Sequence, residues 1–195
     1  MSEYNNQALR EQLTYAPKNG HARISDQGKI EMEAYCKRYM AFLDAAKTER
    51  EAVRETVRQA EAAGFRPYTP GMEMTPGTKV YSVNHAKAIN LAVIGKKSLA
   101  EGTRITAAHI DNPRLDLKPN PLYEDHDLAY FDTHYYGGIK KYQWTAIPLA
   151  LHGVVVLRDG TTVPVRVGED PDDPVFCVTD LLPHLATEQM TRKAT

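Results

Sequence analysis

Residues Ala88 to Ile94 read Ala-Ile-Asn-Leu-Ala-Val-Ile, a nearly unbroken apolar run closed by Gly95. The run is far shorter than the roughly 20 residues needed to span a bilayer. A short apolar segment of this kind suits a strand buried on both faces, and such a strand needs a sheet with cover on each side. Helical patterns upstream can supply that cover. From Lys29 onward Cys36, Tyr39, Met40 and Leu43 recur at helical spacing and share one face. A second helix opens at Thr48, where Thr48 and Glu51 have the spacing of a capping box, each side chain meeting a backbone N–H of the first turn. Val53, Val57 and Ala60 make its apolar face, and Gly64 is its natural stop. Two helices leading into buried strands predict an α/β layered domain.

The remaining segments follow from local pattern. Residues 1–28 are polar and punctuated by Pro17, Gly20 and Gly28, an irregular lead-in. Arg66 to Gly77 carries three prolines and two glycines and reads as a loop. Lys79 to Asn84 is a short β-rich segment, and Arg104 to Ile110 reads as a further strand that runs straight into Asp111-Asn112-Pro113. Trp144 to Leu157 is a long apolar stretch, Arg158-Asp159-Gly160 a turn, and Thr161 to Val167 alternates, which together signal a β-hairpin. An acidic loop from Gly168 to Pro174, a short apolar segment from Val175 to Val178 and a polar tail from Thr187 complete the chain.

Charge narrows the class of partner. Lys and Arg number 24 against 25 Asp and Glu, a net charge of -1, so there is no electrostatic case for nucleic acid or an anionic membrane surface. The first 20 residues hold no apolar run of the kind a secretory signal needs. Cys36 and Cys177 stand far apart and form neither a disulfide framework nor a zinc-finger spacing; they read as two free thiols in a reducing cytoplasm.

The sharpest local feature is Ala108-His109-Ile110-Asp111-Asn112-Pro113. A histidine at the C-terminal end of a buried strand lies where active sites of open α/β sheets gather. Its neutral imidazole can bind zinc at about 2.0–2.1 Å. Asp111, two residues on, can accept the other ring N–H and so set the tautomer. From spacing alone, a histidine merely hydrogen-bonded in the core or a loop is the plainer reading. The other histidines are plainer still. His21 and His126 lie in polar loops, His85 follows a short strand, His134 sits beside Tyr135, Tyr136, Gly137 and Gly138, and His152 ends an apolar stretch as a packing residue. Glu124-Asp125-His126-Asp127 reads as a solvated turn.

Taken as one run, Ile105 to Lys118 resembles the first metal motif of the aminopeptidase I / aspartyl aminopeptidase family (metallopeptidase family eighteen), an apolar strand followed by A/S-H-x-D-S-P-x-L-x-L-K, with Asn112 where serine is usual. Thr133 to Ile139 resembles that family's T-x-Y-G-G segment. Lys140 to Trp144 and Ile147 to Gly153 match the K-K-Y-Q-W and I-P-L-A-L-H-G segments of its bacterial branch, and Asp180 to Leu185 resembles its I-P-H-L segment. The resemblance covers residues 30–190.

It implies the N-terminal part of a three-layer zinc-peptidase domain with a mixed sheet over residues 29–146, followed by the start of an inserted β-rich dimerisation domain over 147–195. It implies that His109 is a zinc ligand and Asp111 its supporting catalytic carboxylate. His184, by itself equally a surface histidine, is implied to reach the active site of a neighbouring subunit and to contact substrate there. The implied activity is hydrolysis of N-terminal residues from peptides by water activated between two zinc ions, with cobalt or manganese as alternatives. The implied state is a homo-oligomer. In the family the bridging aspartate, the catalytic Glu-Glu pair, a further aspartate and the last histidine come later than this sequence reaches. The expectation is therefore a chain with most metal ligands missing, inactive alone and binding zinc weakly; a non-catalytic oligomerisation module derived from the same fold is the alternative.

Overall fold

A computed structural model of the chain describes residues 7–15 and 17–192. It separates into two compact units, Met1–Asp44 and Ala45–Thr195. In the first, helix α1 covers Gln7–Leu13 and helix α2 covers Asp26–Ala45, its last residue belonging to the second unit. The irregular lead-in expected over 1–28 is thus partly helical, because Gln7 to Leu13 contains no Gly or Pro and is built from good helix formers; residues 1–6 and 16 lie outside the described residues. α2 also starts before Lys29. The Ser25 hydroxyl accepts the N–H of Gly28 at 3.1 Å, an N-terminal cap that moves the helix start upstream.

The second unit opens on helix α3, Glu49–Ala62, with the predicted capping box in place: Thr48 N–H donates to Glu51 Oε2 at 3.0 Å, and Glu51 N–H to Thr48 Oγ1 at 3.4 Å. Ala52, Val53 and Ala60 are buried on its inner face. Gly64, at φ +84°, ends it. α3 lies against strands β2 (Lys79–Asn84) and β3 (Ala88–Val93), where Val80 and Tyr81 are buried and Tyr81 donates its hydroxyl to Glu61 at 2.7 Å. Strand β1 (Arg66–Pro67), taken from the expected loop, pairs parallel to β2, while β2 and β3 are antiparallel, so the sheet is mixed as expected. The core of this unit is the α3–sheet contact.

β3 is not buried on both faces; five of its six residues are exposed. It is the edge of a three-stranded sheet, and α3 is the helix in contact with it among the described residues. Arg104 to Ile110 forms no strand either. An extended segment becomes a strand only by pairing its N–H and C=O groups with a neighbour, and no described segment pairs with this one.

Two hairpins complete the unit. β4 (Arg114–Asp125) and β5 (Leu128–Tyr136) are antiparallel and joined by His126-Asp127, both at positive φ, the turn that matches strand twist. The solvated turn expected at 124–127 is this connection. The ladder breaks between Leu117 and Leu122, where Pro119 and Pro121 have no N–H to give. β6 (Leu151–Val156) and β7 (Thr162–Val167) form the predicted second hairpin. At its base Gly168, φ +102°, brings its backbone against Ala150, where an added Cβ would lie 3.0 Å from the Ala150 Cα. The Asp173 carboxylate accepts the N–H groups of Gly168 and Asp170 at 2.9 and 3.2 Å and folds the acidic loop on itself.

Candidate metal centre

The register of the β4–β5 hairpin builds this site. It sets Arg114, the first residue of β4, opposite Tyr136, the last of β5. The Arg114 guanidinium lies over the Tyr136 ring, 4.3 Å from its centroid, and is held there by Asp116 at 2.7 Å and by Glu49, in the first turn of α3, at 3.3 Å. Burial works against the guanidinium charge, but these acceptors outweigh it and raise its pKa. Just beyond, Gly137 at φ +73° packs on Pro113. The two ends of the hairpin are therefore clasped together, and the chain running up to Pro113 passes over Tyr136.

On that approach lie Asp111 and His109. Tyr136 donates its hydroxyl to Asp111 Oδ2 at 2.7 Å. The other carboxylate oxygen, Oδ1, lies 2.6 Å from His109 Nδ1. A carboxylate only accepts, so Nδ1 carries the proton and the lone pair of the neutral ring sits on Nε2. The Asp111 side chain is 17% exposed and the His109 side chain 82%. On so exposed a ring Nε2 has no hydrogen-bond partner among the described residues, and with the proton on Nδ1 the ring is in the form that binds metal. The hydrogen bond from Tyr136 holds the Asp111 carboxyl below the usual carboxylate range, with smaller help from His109 and Arg114. The same bond, with the charge of Asp111, raises the Tyr136 pKa and keeps the phenol a donor.

Thus the structure joins His109 to Asp111 and adds Tyr136 and Arg114, which the sequence reading did not single out for this site. His184 stands apart from this network: it is exposed in the turn 183–185, which is anchored by buried Ala186. His134 lies in β5 with its ring nitrogen 3.2 Å from the Tyr135 carbonyl. His152 is no packing residue. It sits between two carboxylates, Nδ1 2.9 Å from Glu51 and Nε2 2.9 Å from Glu169. Among the described residues no group of three or more His, Cys, Asp or Glu side chains gathers as a metal site. His109 with Asp111 fits one ligand and its supporting carboxylate, not a complete zinc centre, which uses three or four protein ligands.

Comparison with known proteins gives the family of the chain. Residues 42–195 match the family model "Aminopeptidase I zinc metalloprotease (M18)". A "Probable M18 family aminopeptidase 1" of Clostridium acetobutylicum is 51% identical over 181 residues, covering 91% of this chain and 39% of the relative. A protein of the same description from Thermotoga maritima is 49% identical, covering 82% and 35%. Among solved structures, an M18-family aminopeptidase from Thermotoga maritima superposes with a TM-score of 0.83 at 44% identity, covering 93% of this chain and 39% of that one. The chain spans about two fifths of the length of the curated relatives it matches.

Proposed function

The chain belongs to the aminopeptidase I zinc metalloprotease (M18) family, and from that premise we propose that it supplies one zinc ligand, His109, to an enzyme that removes N-terminal residues from peptides. One observation carries this reading. In a match to a zinc-peptidase family, the single imidazole of the His-x-Asp motif has its Nδ1 proton on a carboxylate and its Nε2 free.

In this proposal the metal, two ions in the complete site, supplies Lewis acidity that lowers the pKa of a water and polarises the scissile carbonyl. This chain's residues do the positioning. His109 offers the Nε2 lone pair, and Asp111 keeps the proton at Nδ1. His184 serves a neighbouring copy in a homo-oligomer, donating from its ring to the substrate carbonyl oxygen; its exposed turn at 183–185 suits that task. Residues 29–146 belong to the catalytic domain and 147–195 begin the β-rich oligomerisation domain. Zinc, cobalt and manganese all suit a site of nitrogen and oxygen donors. Among the described residues no group of three or more His, Cys, Asp or Glu side chains gathers to complete the site, so they alone bind zinc weakly and are inactive. The two exposed free thiols, Cys36 and Cys177, suit a cytoplasmic setting.

A second reading, an oligomerisation module without catalysis, is favoured by exposed apolar side chains of the β6–β7 hairpin, Val155, Val156 and Val163. Release of N-terminal residues from peptides, assayed with and without a chelator, separates the two. The enzyme reading expects zinc-dependent release by a complete enzyme carrying these residues, and loss of more than about 100-fold in His109→Ala, beyond the usual effect of an outer partner. Undiminished turnover in that variant would sink it.

A further inference from the structure

We propose that Tyr136 is a positioning residue for the metal ligand: its hydroxyl locks the Asp111 carboxylate, and through it holds His109 with Nε2 presented to the metal. The inference rests on the reading of His109 as a ligand.

His109 has little else to order it. It lies in a segment with no strand ladder, its side chain is 82% exposed, and among the described residues its ring's hydrogen-bonding contacts are to Asp111: Oδ1 at 2.6 Å and the backbone oxygen at 3.2 Å. Its direction is therefore set by Asp111. The carboxylate torsion of an aspartate is broad and two-fold, so one held oxygen leaves the group free to rock or flip. Here both oxygens are engaged, one by the ring of His109 and the other by Tyr136 at 2.7 Å. Tyr136 is itself held, with its backbone in register with Arg114 and its ring beneath a guanidinium that Asp116 and Glu49 prevent from swinging away. The order imposed on an exposed imidazole thus comes from the clasped end of the β4–β5 hairpin, through two hydrogen bonds in series. A Tyr that served packing alone would need its ring but not its hydroxyl.

Tyr136→Phe keeps the ring over Arg114 and removes only the hydroxyl. The measurement is made on the full chain at about pH 8, above the ordinary imidazole range. Long-range nitrogen–proton NMR reads which ring nitrogen of His109 carries the proton, Co2+ titration reads metal affinity, and thermal melting reports the fold. The expected result is Nδ1–H as the dominant tautomer in the parent, a shift toward an even mixture in Y136F, and Co2+ binding weaker by about 10-fold, the low end for loss of an outer partner. Arg114→Lys, which loosens the phenol without removing it, moves both signals the same way by less, and decides the matter if Y136F melts early. An unchanged tautomer and unchanged affinity in Y136F, while His109→Ala abolishes the Co2+ signal, overturns the role of Tyr136 and leaves the ligand reading standing. Co2+ binding that survives in His109→Ala overturns both.

Discussion

At the residue scale, the informative object is a carboxylate with two different partners. Asp111 can serve Tyr136 and His109 at once because each of its oxygens is an acceptor. Asp111→Asn has a single acceptor oxygen. If the Tyr136 hydroxyl takes it, the amide N–H₂ faces His109 Nδ1, which must then become an acceptor. The ring proton moves to Nε2 and blocks the ligand position. The expected outcome is an inverted tautomer by NMR, metal affinity lower by about 10–100-fold and a melting temperature close to the parent's. Parent-like metal binding in D111N would show that the tautomer does not matter. The His109–Asp111 pair was legible in the sequence because its two members are neighbours and their chemistry follows from a spacing of two. Tyr136 was not, since it lies 25 residues from Asp111. Their contact exists only through the β4–β5 register, and Pro119 and Pro121 obscure the alternation that would have announced that hairpin.

At the element scale, Glu51 ties α3 to two places. Its Oε2 caps the helix start, while its Oε1 meets His152 on β6. The capping box was visible as a local pattern; the link to β6 was not, because it joins residues 101 apart. Both ring nitrogens of His152 face carboxylates, Nδ1 toward Glu51 and Nε2 toward Glu169. Burial acts to raise the Glu51 pKa, yet the hydrogen bond and charge of His152, with help from Thr48, bring it below the ordinary value. A carboxylate with a depressed folded pKa stabilises the fold at any pH above its unfolded value, and that stabilisation disappears as pH falls through the folded value. A double-mutant cycle with Glu51→Gln and His152→Ala, read by denaturant unfolding, should therefore give a coupling of about 1–2 kcal/mol near pH 6. The coupling should shrink steadily once acid protonates Glu51. A coupling that is zero at pH 6, or that grows in acid, would contradict the ion-pair reading. The failure at Arg104 to Ile110 has the same origin as the success at α3. A helix start is decided within four residues, whereas a strand is decided by a partner that a single segment cannot specify.

At the scale of the whole molecule, the apolar pattern of the sequence exceeds what the described residues bury. Ala88 to Ile94 has the composition of a doubly covered strand, yet Leu91 and Val93 of β3 are 44% and 59% exposed. The β6–β7 hairpin repeats the theme, with Val156 at 64%. The family was legible from its run of motifs, and α2, α3, β2 and the β6–β7 hairpin from local patterns; the mixed sheet was implied by the resemblance. Cover was not, because composition records that a side chain is suited to burial and says nothing of which body buries it. Apolar surface left in water costs about 25 cal/mol per Å², and unpaired strand edges such as that of β3 are templates for pairing with a second chain. The chain is therefore expected to associate with itself as its concentration rises. Light scattering coupled to size-exclusion chromatography should give a mass above the 21.9 kDa of one chain, falling toward it on dilution. Val156→Lys, which puts a charge on the exposed hairpin face, should reduce that association, whereas Arg10→Lys on α1 should not. A single species of one-chain mass across the whole concentration range would mean that these apolar faces are tolerated in water and are not the surfaces through which copies meet.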